Sequence, residues 1–376
     1  MQNYSFSPIR LTASENGETK CVIFVDSSEH ARKMLEPHVS TIVAAYPFLK
    51  AFGAHVSVHK LEDLARLPCV RAVAPHTTCR TCLFKTNRVL NVDFYRPVLG
   101  YGEDITAAVI DTGIRPHLDF TVPENRIIFK DFIGGEALPY DDNGHGTAVS
   151  SILCGNGLFS GGRYAGIAPR ARVAALKAIG VGGEGGAFAI LEAMQWICDN
   201  AREFNIKVVC MSFGSEPVVG AIDPLSAGAE ALWKRGITVV TSAGNDGPAP
   251  RTIRSPGCNP YVITVGGAQI EGVGLPPSVA SFSSRGPCGR FSKPDLIAPS
   301  LDIIACGHIA AYDTFSGTSM AAPMVAGAAA LLLSRHPELS PNRIKELLLN
   351  YAQKLPLSPV DAGRGMLSFE GLGARG

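Results

Sequence analysis

The sequence predicts a doubly wound α/β domain with a mostly parallel sheet, preceded by a small α+β unit of ferredoxin-like pattern. Three observations predict it. From Ile105 onward, apolar runs alternate with longer helical patterns. Those runs are apolar at nearly every position, as strands buried on both faces of a parallel sheet are. Residues 21–76 instead carry short elements in the order strand, helix, strand, strand, helix, strand, the split arrangement of a ferredoxin-like unit.

Residues 1–20 read as an N-terminal tail. Their sequence, MQNYSFSPIRLTASENGETK, has no basic patch followed by an apolar core, so no secretory signal is expected and the expected location is the cytoplasm. In the small unit, CVIFVD reads as a strand, SSEHARKMLEPHVSTIV as a helix and LKAFGAHVSVHK as one or two strands. LEDLARL then reads as a short helix and VRAVAP as a closing strand. Weak patterning follows, with Cys79, Cys82 and Pro97; residues 77–94 read as a linker and 95–376 as the main domain. There the strand runs are ITAAVID, RVAALKAIG, KVVCMSFG, ITVVTSAGN and YVITVGG, and the helical runs include AFAILEAMQWICDNAREF and PLSAGAEALWKRG. Working residues of such sheets gather beyond the carboxyl ends of the strands. Asp111, Ser212 and Asn245 each stand at or near such an end.

Composition narrows the function classes. The chain has 376 residues, enough for one large and one small domain. Apolar residues make up 46% and charged residues 18%, which permits a sizeable core. A formal net charge of +1 offers no broad attraction for nucleic acid or for an anionic membrane. The apolar run Met320–Leu333 contains Pro323 and falls short of the roughly 20 residues of a bilayer span, so it reads as a buried core helix. The ten cysteines are widely spread, and most read as buried free thiols. CRTC, Cys79–Cys82, has no second pair to complete a four-cysteine metal site.

Three residues could carry nucleophilic chemistry. Asp111 closes the apolar strand of AAVIDTGI, where a carboxylate is costly unless paired. His145 opens a helix in DDNGHGTAVSSIL, and Ser319 opens another in DTFSGTSMAAPMVAGAAALLL. Singly, each has a structural explanation: a turn or cap aspartate, a serine N-cap, a histidine that is a metal ligand or a satisfied polar group. Together they supply a nucleophile, a base and a residue to orient the base. Asn245, in TSAGNDGP, adds a side-chain amide able to hold an oxyanion.

VIDTGI, NGHGT, SAGN and SGTSMAAP resemble the signature segments of the subtilisin-like serine proteases, in that family's order of Asp, His and Ser. The resemblance covers roughly residues 95–352, and SFSSRGP and KPDLIAP extend it. It implies a serine endopeptidase with the triad Asp111, His145 and Ser319, with Asn245 in the oxyanion hole, acting on protein or peptide substrates without an organic cofactor. It also implies that residues 21–76 are a prodomain, an intramolecular inhibitor that keeps the chain a zymogen until cleavage between about His76 and Arg88. Lacking a signal peptide, the chain is most similar to the intracellular members. The family's substrate cleft would lie between a glycine-rich strand containing Gly183 and Gly185 and the opposite wall of Ser212, Phe213 and Gly214.

Two other classes stand beside this one. GVGGEG, Gly180–Gly185, matches a dinucleotide fingerprint and raises a nucleotide-dependent oxidoreductase. Against it, the acidic residues about 20 positions on, Asp199 and Glu203, fall inside the predicted helix, whereas the fingerprint wants one at the end of the next strand, which runs into CMSFGSE. The other class is a catalytically inactive binding protein of the same shape. Departures from the family pattern are informative as well. Ala148 stands where a second histidine is frequent, outside the relay. CGNGLFSGGRYAGIAP lacks the Asn-rich calcium loop of the secreted subtilisins, so calcium has no support at that position. Arg254 aligns with the floor of the primary specificity pocket and Asp246 with its rim. Arg254 either selects an acidic residue on the acyl side of the cleaved bond, or turns to solvent or to Asp246 and leaves an apolar slot.

Overall fold

The first strand begins at Glu18 in the computed structural model, which describes residues 17–26, 28–47, 50–75, 90–217, 223–271 and 275–373. The chain divides into two compact units between Thr81 and Cys82. The first contains β1 (Glu18–Val25), α1 (Ser28–Leu35), β2 (Thr41–Tyr46), β3 (Ala51–Ser57), α2 (Leu61–Ala65) and β4 (Val70–Pro75). Its strands pair antiparallel in the order β2-β3-β1-β4. Cys21, Ile23 and Val25 alternate along β1 into a core with Leu35, Phe52 and Leu64, the period of two expected of a half-buried strand.

One expectation is corrected here. The helix read through SSEHARKMLEPHVSTIV ends at Leu35, and Thr41–Tyr46 forms β2. Pro37 has no N–H to continue a helical ladder. Thr41, Ile42 and Val43 are β-branched and suit a pleated surface. LKAFGAHVSVHK accordingly supplies one strand, β3, and the element order of the split arrangement is kept.

The second unit contains α3 (Val92–Leu99), β5 (Thr106–Asp111), β6 (Ile127–Asp131), α4 (His145–Cys154), β7 (Arg172–Lys177), α5 (Ala187–Asn200) and β8 (Ile206–Met211). It continues with α6 (Pro224–Lys234), β9 (Thr238–Ser242), β10 (Ile263–Gln269), β11 (Ser278–Val279), β12 (Leu296–Pro299), β13 (Ile303–Cys306), β14 (Tyr312–Phe315), α7 (Thr318–Arg335) and α8 (Pro341–Asn350). α3 starts inside the stretch read as linker. The main sheet runs β11-β10-β9-β8-β5-β7-β6, with β12 also on β10, and every pairing except that of β11 is parallel.

All residues of β5, β9 and β12 are buried, as a sheet covered on both faces requires. The apolar run Met320–Leu333 is a core helix: every one of its residues is buried in α7, which packs on α4 and on strands of the sheet. Among the described residues no helix is long and apolar enough to cross a membrane.

The parallel register places the reactive candidates side by side. Ile110 pairs with Met211 and Met211 with Thr241. The next residue of each strand run, Asp111, Ser212 and Ser242, therefore reaches the same sheet edge on strands about 4.8 Å apart. The cysteine expectation needs one correction: Cys258 and Cys288 are joined, with Cα atoms 5.4 Å apart across 30 residues. Their loops converge beside Ala243 and Ile253, a tertiary neighbourhood that spacing alone does not announce. Cys21, Cys69, Cys154, Cys198, Cys210 and Cys306 are free thiols. Cys79 and Cys82 lie outside the described residues, as does the span from His76 to Arg88 where cleavage was expected.

Candidate active site

Asp111 ends β5 with its side chain 1% exposed, and His145 opens α4 with 31% exposure. His145 Nδ1 lies 2.7 Å from Asp111 Oδ1, which also accepts the Thr112 N–H. A carboxylate only accepts, so Nδ1 carries the proton and Nε2 carries the lone pair. Gly146 lets α4 start this close to β5, since a Cβ there would meet the carbonyl oxygen of Gly113. Burial alone would lower the pKa of the imidazole. The charge and hydrogen bond of Asp111, with Asp141 behind, outweigh it, and the net direction is upward from 6.5.

Asp141 holds this junction together, and sequence reasoning passed over it. One carboxylate oxygen accepts from the Thr112 hydroxyl and from the N–H groups of Asn143 and Gly144. The other accepts from the N–H and hydroxyl of Thr147. Burial would raise the pKa of Asp141, but these hydrogen bonds hold it below the ordinary carboxylate value. Beneath, the buried Lys177 donates to Asp142 and to the carbonyl oxygens of Thr112 and Ile179. The signal for Asp141 was present in DDNGHGT, an acidic residue preceding a helix start; Lys177 gave none beyond a charge ending an apolar strand.

Ser319 occupies the first turn of α7. Its hydroxyl donates to the Ser212 carbonyl at 2.8 Å, so in this rotamer the proton is not directed at His145. In return, Ser212 Oγ donates to the Ser319 carbonyl at 3.0 Å. Pro323 explains why that carbonyl is free, because the residue four positions on has no N–H to give it. Ser319 is thus fastened to the end of β8, the strand beside β5 and its Asp111–His145 pair. Ser212→Ala should leave the carbonyl unpaired, lower stability by about 1–2 kcal/mol and reduce kcat. Thermal unfolding with parallel kinetics checks it; unchanged values for both would mean the tether is idle.

Asn245 completes the group. Its Oδ1 accepts from the backbone N–H and the hydroxyl of Thr318, which fixes the amide and leaves Nδ2 as a donor. The Ser319 N–H belongs to the first helical turn and has no intrahelical acceptor. Gly317, at φ 145°, adjoins both donors: a Cβ there would sit 3.4 Å from Asn245 Nδ2, 3.7 Å from Asn245 Oδ1 and 3.8 Å from the Ser319 nitrogen. Two N–H groups at a helix start are chemically able to hold a small anion.

Gly183 and Gly185 line a cavity of about 640 Å³ together with Ile179, Ile190, Phe213 and Gly214. Of the two expected walls, Gly183 and Gly185 on one side and Phe213 and Gly214 on the other line this cleft, and Ser212 does not. The glycine-rich segment is a turn followed by residues outside any strand, because a strand is defined by a paired neighbour and this edge has none among the described residues. Arg254 is not a free cation. It donates to both carboxylate oxygens of Asp246 and to Glu216, a residue not foreseen. Of the readings left open, the pairing with Asp246 is present, but it does not leave a clear slot, because the Arg254 stem lies against Gly214 and Gly244.

For a metal, the described residues offer His117, Asp119 and Cys306, whose ligand atoms lie within 4.8 Å of one another. Hydrogen bonds already use these atoms. His117 Nδ1 accepts the Asp119 N–H, and the Asp119 oxygens accept from the Phe159 N–H and the Tyr312 hydroxyl. The cluster is accounted for as a buried polar network.

Comparison with known proteins gives a consistent result. A family model described as the subtilase family matches residues 102–373. The chain is 40% identical over 279 residues to serine protease AprX of Bacillus subtilis (strain 168), a match covering 67% of this chain and 62% of AprX. It is 32% identical over 275 residues to subtilisin DY of Bacillus licheniformis, covering 72% of this chain and 92% of the relative. A solved structure of a cold adapted subtilisin-like serine proteinase is similar with a TM-score of 0.58 at 29% identity, covering 71% of this chain and 88% of the other.

Proposed function

The chain belongs to the subtilase family, and on that premise we propose that it is a serine endopeptidase acting on protein or peptide substrates through an acyl-enzyme. The observation that carries the proposal is the 2.7 Å Asp111–His145 bond, on the strand beside the one that fastens Ser319. Ser319 Oγ rotates from the Ser212 carbonyl and attacks the peptide carbonyl carbon as His145 Nε2 takes its proton. The resulting oxyanion is held by the Ser319 N–H and Asn245 Nδ2. The C–N bond then breaks, and His145 returns the proton to the leaving amine. Water, deprotonated by the same imidazole, then attacks the acyl carbon, and the ester C–O bond breaks as His145 returns that proton to Ser319 Oγ. Throughout, Asp111 stabilises the charged imidazole.

The first unit, with its sheet over residues 18–75, acts in this proposal as an intramolecular inhibitor. Its support is the family membership and the element order. Fluorophosphonate labelling of the purified chain, before and after prolonged incubation, tests both parts. Modification at Ser319 establishes an activated nucleophile, and modification only after N-terminal cleavage establishes the inhibitor. If no labelling occurs once the first unit is gone, the relay is not assembled and the chain is a binding protein of this fold.

Asn245→Ala should lower kcat by roughly 10²–10³-fold with little change in KM, since it removes a donor used as charge develops. A loss confined to KM would place Asn245 in substrate binding alone.

A further inference from the structure

On the serine endopeptidase reading, a peptide carbonyl attached to Ser319 with its oxygen toward Asn245 lies beside two walls, one reached by the Ser319 hydroxyl and the other containing Asn245. One is Ser212–Gly214, after β8; the other is Ala243–Asn245, after β9. Arg254 occupies the space between them. Its N–H donates to the Ala243 carbonyl, and the adjoining Ser255 exchanges backbone hydrogen bonds with Ser215, so this segment bridges both walls. A Cβ on Gly214 would lie 2.5 Å from Arg254 Cβ, and one on Gly244 would lie 2.7 Å from Arg254 Cγ. The stem of Arg254 therefore fits against the bare backbone of both walls.

The head is paired as well. Nε and Nη2 donate to Asp246 at 2.6 and 2.9 Å, a two-pronged pair, and Nη1 donates to Glu216 at 2.8 Å. Asp246 is itself placed by its N–H, which donates to Ser284 Oγ. One cation facing two carboxylates leaves a net negative mouth, unsuited to an acidic side chain.

We propose that Arg254 is a built-in plug of the acyl-side specificity slot, limiting the residue whose carbonyl is attacked to a short side chain such as Gly, Ala or Ser. The proposal rests on the serine endopeptidase reading above and gives it a substrate class. A large apolar residue can enter only if the guanidinium leaves both carboxylates. Removing the stem opens the slot, and its two bare glycine walls then accept a large apolar group.

The experiment is cleavage-site profiling of a proteome-derived peptide library with the full chain after prolonged incubation. Wild type, Arg254→Gly and Arg254→Ala are compared at equal active-site concentration, counted by fluorophosphonate labelling of a separate sample of each. Wild type should cleave after Gly, Ala and Ser with kcat/KM at least about tenfold above Phe, Leu or Met, the scale on which pocket size discriminates. Arg254→Gly should reverse that order. Arg254→Ala, which keeps Cβ between the glycines, should shift part of the way and decides the matter if the Gly variant does not label. Wild-type preference for large apolar, acidic or basic residues overturns the proposal, as do variants that label normally with unchanged preference. Failure of wild type itself to label is a different result: it overturns the endopeptidase reading and this proposal with it.

Discussion

Ser319→Ala will reduce kcat for peptide hydrolysis by roughly 10⁶-fold, the scale at which a member of such a relay acts, while the protein stays folded. The size follows from covalency. Without Oγ no acyl-enzyme forms, and what remains is transition-state binding by Asn245 and the Ser319 N–H with water as nucleophile. The fold is nearly indifferent, because the lost hydroxyl makes one hydrogen bond, to the Ser212 carbonyl, worth about 1 kcal/mol. The reciprocal bond from Ser212 Oγ goes to the backbone of residue 319 and survives. Turnover of a casein-like substrate, with thermal unfolding alongside, measures both. Retention of more than a hundredth of wild-type activity by a folded variant would show that Ser319 is not the nucleophile.

Asp111→Asn should lower kcat by about 10⁴-fold and also move the pH profile. In the wild-type protein the imidazole pKa lies above 6.5, because the charge and hydrogen bond of Asp111, with Asp141, outweigh burial. The base must be neutral, so activity is present above that raised pKa and is lost as pH falls through it. The acid limb of kcat/KM should therefore have its midpoint above 6.5 in wild type. In the variant, the carboxylate that opposes burial is gone and the limb of the residual activity moves to lower pH. An amide whose NH₂ turns to Nδ1 also imposes the wrong tautomer.

The same linkage sets a stability change. A raised histidine pKa stabilises the folded state below the unfolded value of 6.5, and this contribution fades as pH rises through the folded pKa. Asp111→Asn should lose it selectively at acidic pH. Unfolding measured across pH reads this stability effect, profiles of kcat/KM against pH read the catalytic one, and coincident acid limbs would remove Asp111 from its assigned role.

Much of this was legible in the chain. Apolar runs marked β5, β7, β8, β9 and β10, because burial on both faces leaves continuous hydrophobicity in the sequence. The short strand β6 escaped notice: its residues are mostly half-exposed and it lies at the sheet edge, so no such run is required of it. β2 was absorbed into the preceding helix pattern, since its residues are exposed or half-exposed and carry no core periodicity.

The sequence by itself determined which residues are available for chemistry. A polar side chain ending a buried strand, a histidine between glycines and a serine before an Ala-rich helix are local patterns, readable without neighbours. Pro323 likewise determined that the Ser319 carbonyl would lack its helical donor. That Ser212 would supply one from 107 residues away was decided only by tertiary structure, as were the joining of Cys258 to Cys288 and the capture of Arg254 by Asp246 and Glu216. The physical reason is common to all three. Periodicity records whether a side chain faces core or water, but the partner of a polar group depends on loops that meet only after the sheet has set its register.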